Sequence, residues 1–237
     1  MRRTPRGAVR TMRPLRLGVI TAALVAAFLL AASIAGAAGE RTIVHILDRA
    51  PLYSAPGGPP MGFDQRLLYE RGSAWVVRRQ GDWLGISTIE RNHGRLAWIR
   101  KTPKRPLTTT DLLVVVDLSE RRVDVTRGGQ PVMSAPVTIG APGSPSPIAS
   151  TSVYKRIKVT PSSGFDRASY GPVIIALRLW QHRPSPGMPD GGIVAFHGGG
   201  GFARGLARSG GCFRMRNVDA LRLASHVRGG TPVIIRR

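Results

Sequence analysis

The sequence of 237 residues has a single cysteine, Cys212, so no internal disulfide can staple the fold. Lysine is scarce, confined to Lys101, Lys104, Lys155 and Lys158, and acids are few, 13 against 35 lysines and arginines, which leaves a formal net charge of +22 carried almost entirely by arginine. Such a balance suits a polyanion: nucleic acid, anionic lipid or an acidic cell wall. No helix-turn-helix, zinc-finger or RNP pattern accompanies the charge, which argues against nucleic acid. No Gly-Lys-Ser/Thr follows the glycine run Gly198–Gly201, so it is not a P-loop, and no G-x-S-x-G elbow occurs, so an α/β-hydrolase is excluded. His45, His93, His182 and His226 lack metal-ligand spacing, and neither a metal nor a cofactor is expected. Internal repeats are absent too.

What is present begins at the N-terminus. Six arginines (Arg2, Arg3, Arg6, Arg10, Arg13, Arg16) precede the uncharged stretch Leu17–Gly39, which is rich in alanine and leucine. That is the layout of an export signal, and Ala35, Gly36 and Ala37 make an A-x-A cleavage site. The apolar length is also near the roughly 20 residues that span a bilayer. Residues 1–39 therefore read as a signal peptide, or as an N-terminal membrane anchor through residues 17–39. Either way the flanking arginines hold the N-terminus in the cytoplasm and the rest faces outward, at the cell wall or the outer face of the cytoplasmic membrane. Cleavage after residue 37 removes six arginines and no acid, so the remainder stays basic, about +16, and suited to an anionic envelope. Compartments outside the membrane tend to oxidise thiols, which makes a lone free cysteine worth explaining.

From Arg41 to Ile99 short valine-, isoleucine- and tryptophan-rich runs alternate with polar residues and Gly/Pro/Asn turns, the pattern of a small antiparallel barrel or sandwich over residues 40–100. Trp75, Trp83 and Trp98 fit its core, or else a glycan groove. The stretch "KTPKRPLTTT", residues 101–110, reads as a linker. Residues 111–237 open with a strand meander, "DLLVVVDLSERRVDVTRGGQPVMSAPVTIG", and continue through "APGSPSP" to strands at "STSVYKRIKV", "GPVIIALRLW", "GGIVAFHGG" and "TPVIIRR". Only Val218–Arg228 has helical spacing, with Val218, Leu221, Leu223 or Ala224, and Val227 as the apolar stripe, Asn217 as N-cap, and Gly229 and Gly230 as the stop.

His197 ends a strand-like run, and Cys212 follows fifteen positions later behind two glycines. A thiol needs a base to attack at neutral pH, and glycine turns bring amides close enough to hold an oxyanion, so the two form a candidate base and nucleophile. By composition alone a lone cysteine is more often a small buried hydrophobe, and it is the exported setting and the flanking glycines that favour the nucleophile.

The run "AFHGGGGFARGLARSGGCFRMRNVDALRLASHVRGGTPVII" resembles the L,D-transpeptidase (YkuD) catalytic domain, through Ser209, Gly211, Cys212, Phe213, Arg214 and Asn217 and the loop "VTIGAPGSPSP". "GDWLGI" and "GRLAWI" make residues 40–100 similar to a bacterial SH3 domain. The resemblance implies a mainly β protein, an SH3-like barrel followed by a β-sandwich with one short helix after the catalytic loop. It makes Cys212 the nucleophile and His197 its base, oriented by the Gly198 carbonyl. Amides of Gly211 and Cys212 would form the oxyanion hole; Arg214, Asn217 and Ser209 would shape the loop and meet the substrate. The implied reaction is 3→3 cross-linking of peptidoglycan stems through a Cys212 thioester, without metal or cofactor. Gly210 departs from the family, which most often has a second histidine there.

Other readings follow from particular features. A non-catalytic wall-binding protein with a degenerate second domain rests on Gly210. An L,D-carboxypeptidase, or attachment of proteins to the wall, would use the same thioester. An NlpC/P60 peptidase places its cysteine before the histidine, the reverse of this order. Tyr170 and Trp180 are candidates for walling the cleft, whereas Asp124 and Asp219 are too isolated for acid/base roles.

Overall fold

The computed structural model describes residues 39–63, 66–67, 69–89, 95–183, 192–200 and 206–237. The signal or anchor expected at residues 1–39 lies outside them but for its last residue, as do His93 and Gly201.

The first strands are β1 (Arg41–Pro51), β2 (Gly62–Phe63), β3 (Arg66–Leu67), β4 (Tyr69–Gln80), β5 (Trp83–Ile86), β6 (Ala97–Arg100) and β7 (Leu107–Thr110). Five of them form a sheet in the order β6-β5-β4-β1-β7, and β2 and β3 pair beside it. Alternation drives the assembly, as β-branched and leucine side chains at period two fall on one face. Val44 and Ile46 of β1 meet Leu84 and Ile86 of β5 and Ile99 of β6 in a dry core. Trp98, which alternates with Ala97 and Ile99 on β6, is also buried but outside that cluster, while Trp83 is half-buried with its ring edge-on to Tyr53, centroids 4.9 Å apart.

The expected linker needs correction. Leu107–Thr110 is a strand that pairs with β1, Arg41 opposite Thr110 and Val44 opposite Leu107. Before it, Arg105 is buried and forks both carboxylate oxygens of Asp48, at 3.0 and 2.8 Å, so this stretch is anchored to the sheet. The guanidinium holds the Asp48 carboxyl below its ordinary value.

The second set is β8 (Leu112–Asp117), β9 (Arg122–Arg127), β10 (Gln130–Pro136), β11 (Ile139–Gly140), β12 (Ala149–Lys158), β13 (Val173–Gln181), β14 (Gly192–His197), β15 (Ala207–Ser209), β16 (Phe213–Arg214) and β17 (Pro232–Arg236). Eight form one sheet, ordered β10-β9-β8-β17-β12-β13-β14-β16, and β11 pairs in parallel with β15. Two helices are described, α1 (Arg167–Tyr170) and α2 (Asn217–His226), with a 3-10 turn at Pro161–Ser163. β13 is buried along almost its whole length: Val173, Ile175, Leu177 and Leu179 join the large core with Phe196, Phe213 and Leu223.

The stripe expected on α2 is rotated. Ala220, Leu223 and Ala224 are buried, while Val218 and Leu221 are 61% and 51% exposed. Arg216 rather than Asn217 holds the N-cap position, and the helix ends at His226, before the glycines. Arg216 forks Asp219 at 2.5 and 3.0 Å across the first turn, which explains a buried acid on that face.

The described residues form one compact unit. Its two sheets meet through a buried polar seam. Arg178 of β13, fully buried, pairs with Glu70 of β4 at 2.5 Å, donates to the carbonyls of Ser73 (3.0 Å) and Arg71, and stacks over the Tyr154 ring at 4.9 Å. Thr88 donates to the other Glu70 oxygen at 2.9 Å. Ser87 and Thr151 share a hydrogen bond of 2.9 Å.

Candidate active site

β14 and β16 run parallel, Phe196 opposite Phe213 and His197 opposite Arg214. Extending that register puts Cys212, one residue before β16, beside Ala195. Alternation along β14 then turns Ile193, Ala195 and His197 to one side, and all three line the same cleft as Cys212 and Arg214. The cleft has a volume of about 1100 Å³, and the even-numbered Ile174, Ala176 and Trp180 of β13 form part of its wall. So a base and a thiol fifteen positions apart in sequence share one wall because two short parallel strands bring them there.

His197 is 3% exposed. Its Nδ1 lies 2.8 Å from the carbonyl oxygen of Gly198, and a carbonyl can only accept, so Nδ1 carries the proton and Nε2 keeps a lone pair. Burial, with the nearby Arg214 charge, pushes its pKa down to about 4 against the raising effect of the Gly198 bond. The imidazole is therefore neutral and basic at Nε2 across the physiological range. Tyr170 stands beside it, ring centroids 5.1 Å apart, and Phe165 packs edge-on against Tyr170.

Cys212 is half-buried against the small cluster of Val159, Ile174 and Ala195. Its Sγ is 3.9 Å from the Ile193 carbonyl oxygen. Burial pushes the thiol above its ordinary value, opposed by the Ala195 amide and the Arg214 charge, both of which favour thiolate. At rest the pair is thus a neutral thiol and a neutral imidazole. Attack on a carbonyl has to move the proton from Sγ to Nε2 in the same step that the carbon–sulfur bond forms.

The glycines after His197 are held from two helices. Gly198 and Gly200 amides donate to the carbonyls of Tyr170 and Ala168, at 3.1 and 2.5 Å, and the Gly199 amide donates to Asn217 Oδ1 at 2.8 Å. α1 is itself capped by Asp166, whose carboxylate accepts from the amides of Ala168 and Ser169. Asn217 thereby ties the histidine loop to the start of α2. Ser209 lines the cleft. Its buried hydroxyl donates to the Cys212 carbonyl at 2.6 Å and accepts from the Gly211 amide at 3.2 Å, so it closes the cysteine turn. Gly211 has φ +111°, and a Cβ there would lie 2.5 Å from Gln181 Nε2, so only glycine fits.

Arg214 remains in contact with the cleft, and its buried Nε has no hydrogen-bond partner among the described residues. Lys155 and Arg208 add cationic charge to the lining, which includes no acid among the described residues. Among the described residues no three His, Cys, Asp or Glu side chains converge as a metal site would require. His45 bridges Ser73 and Thr108 hydroxyls at 2.9 and 2.8 Å, a structural role.

A family model described as the L,D-transpeptidase catalytic domain, YkuD, matches residues 111–235. Among curated proteins none matches the sequence. Several solved structures are similar. Bd1075 from Bdellovibrio bacteriovorus is 20% identical over 54% of this chain, which spans only 48% of that one, with a TM-score of 0.43. An L,D-transpeptidase from Mycobacterium smegmatis is 16% identical, covering 70% of this chain and 89% of its own, with a TM-score of 0.42. L,D-transpeptidase 3 from Mycobacterium tuberculosis, in complex with a faropenem-derived adduct, is 17% identical, covering 65% and 79%, with a TM-score of 0.43.

Proposed function

The chain belongs to the L,D-transpeptidase (YkuD) family, and from that premise we propose that it is an exported enzyme that cross-links peptidoglycan stems 3→3 through a thioester at Cys212. The observation that carries the proposal is the pairing, on one cleft wall, of a buried imidazole kept neutral with Nε2 free and a half-buried thiol.

In this reading the donor is a tetrapeptide stem. As Sγ of Cys212 bonds to the carbonyl carbon of the third residue, its proton passes to His197 Nε2. The carbonyl oxygen becomes an oxyanion that meets the Cys212 and Gly211 amides. When the intermediate collapses, the bond to the terminal D-alanine breaks and His197 returns the proton to the leaving amine. The side-chain amine of a neighbouring stem then attacks the thioester and gives up a proton to His197 Nε2; as the amide forms the carbon–sulfur bond breaks, and the Cys212 thiolate takes that proton back as the thiol. No step needs a redox partner. Arg214, Lys155 and Arg208 suit the carboxylates that a stem peptide carries.

The protein acts at the cell wall or the outer face of the cytoplasmic membrane, with residues 1–39 as its export signal or anchor, and the SH3-like segment docks to the enzyme through the Arg178–Glu70 seam. The test is incubation of the full chain with disaccharide-tetrapeptide and mass analysis of the products. A dimer lacking one D-alanine is expected. Tripeptide monomer alone would make the protein a carboxypeptidase, and unchanged substrate would leave a wall-binding role.

A further inference from the structure

The proline loop between β11 and β12, residues 141–148, packs behind the cysteine turn, and two of its side chains reach the turn's backbone. Ser144 Oγ donates to the Gly210 carbonyl at 3.1 Å, and Ser146 Oγ donates to the Gly211 carbonyl at 2.9 Å. Both serines are buried, 5% and 6% exposed. The Ser146 bond has a fixed direction. Its oxygen already accepts the Gly140 amide at 2.9 Å, so its one proton goes to Gly211.

A trans peptide holds its C=O and N–H antiparallel in one plane. Pinning the Gly210 carbonyl therefore aims the Gly211 amide away from the proline loop, and pinning the Gly211 carbonyl does the same for the Cys212 amide. These are the two amides assigned to the oxyanion. Left alone, a Gly-Gly pair is the least constrained backbone available. The loop that restrains it is itself rigid. Its Pro145 carbonyl accepts Gln181 Nε2 at 2.5 Å, and the Ala141 amide donates to the Ser209 carbonyl at 2.8 Å. At Gly140 a Cβ would collide with the backbone of Ser144 and Ser146, which closes the loop onto its own hydroxyl.

We propose that Ser146, with Ser144 beside it, is a positioning residue that sets the oxyanion-binding amides of Cys212 and Gly211 by fixing the carbonyls of the same peptide planes. With Gly210 providing no side-chain donor, the backbone amides carry this duty, and their alignment matters correspondingly. The inference rests on the thioester reading above.

The test compares two reactions of the sole cysteine in the full chain. Acylation by faropenem passes through a tetrahedral oxyanion; alkylation by iodoacetamide is a displacement at carbon and does not. Ser146→Ala is expected to slow acylation roughly 10- to 100-fold while alkylation changes by less than about twofold, and Ser146→Thr, which keeps the hydroxyl, to recover most of the loss. Ser144→Ala removes a hydroxyl that also lies 3.4 Å from the Arg183 carbonyl and acts on a Gly211 amide already shared with Ser209, and it is expected to slow acylation roughly three- to tenfold. Unchanged acylation in Ser146→Ala, or equal losses in both reactions, would overturn the proposal. Should Ser146→Ala not fold, the same two outcomes in Ser144→Ala decide. Failure of the unsubstituted protein to acylate at all would instead refute the thioester reading.

Discussion

Two arginines of one sheet, Arg178 on β13 and Arg214 on β16, show how differently this molecule uses charge. At the seam, Arg178 has an acid, two carbonyls and an aromatic ring around it, and its acid is in turn hydrogen-bonded by Thr88. At the cleft, Arg214 has, among the described residues, no acid beside it and no hydrogen-bond partner for its buried Nε, and its charge biases the protonation of two reactive groups. An ion-paired guanidinium holds parts together, whereas one with no ion pair among the described residues is kept ready for something that arrives. The contrast separates structure from function more sharply than burial does, since both arginines are drawn from the same arginine-rich composition.

The contrast can be broken from either side. The largest effect is expected at the cleft: Cys212→Ala abolishes covalent reaction with a β-lactam and leaves the melting temperature unchanged, by calorimetry, because a half-buried thiol is being trimmed by one atom. At the seam, Glu70→Ala strands a buried guanidinium and is expected to cost about 3–5 kcal/mol in denaturant unfolding. Residual folded protein should still acylate normally, and loss of the chemistry without loss of stability would contradict the division.

A third prediction uses pH. With His197 pushed to about 4, the neutral base is the working form, and protonation below that value removes it. Acylation is expected to hold from pH 7 down to about 5 and then fall with an acid limb near 4. Arg214→Gln removes a charge that disfavours the imidazolium, so the limb moves upward, and it removes a charge that favours thiolate, so the rate at pH 7 drops. A smaller effect belongs to the support of the histidine loop. Asp166→Ala uncaps α1 and is expected to lower the melting temperature slightly, with acylation slowed modestly as Gly198 and Gly200 lose their firm anchor.

The candidate base and thiol, the long strands and the glycine loops were legible because their signals are local: alternating valines and isoleucines in β8, β9 and β13, and glycine beside His197 and Cys212. The short elements were not. β15 and β16 have three and two residues, too few to show a period, yet β16 is what brings Cys212 to Ala195. β7 was hidden by the prolines before it, and α1 has only four residues. Asp166 before that turn and Gly171 after it were the available cap signals. The α2 stripe failed because Asp219, an acid, is buried by its fork to Arg216 while Val218 and Leu221 face outward. The hydroxyls of Ser144 and Ser146 were present as "PGSPSP", but nothing in the sequence says that this loop lies against the cysteine turn.

The central claim is that the cleft makes Cys212 an acyl-accepting nucleophile with His197 as its base. Incubating the full chain with faropenem at neutral pH, then mapping the modified peptide by mass spectrometry, tests it directly. The account predicts one adduct per chain, on the peptide that contains Cys212, absent in His197→Ala. An unmodified Cys212 in folded protein, or an adduct that forms equally well without His197, would contradict it.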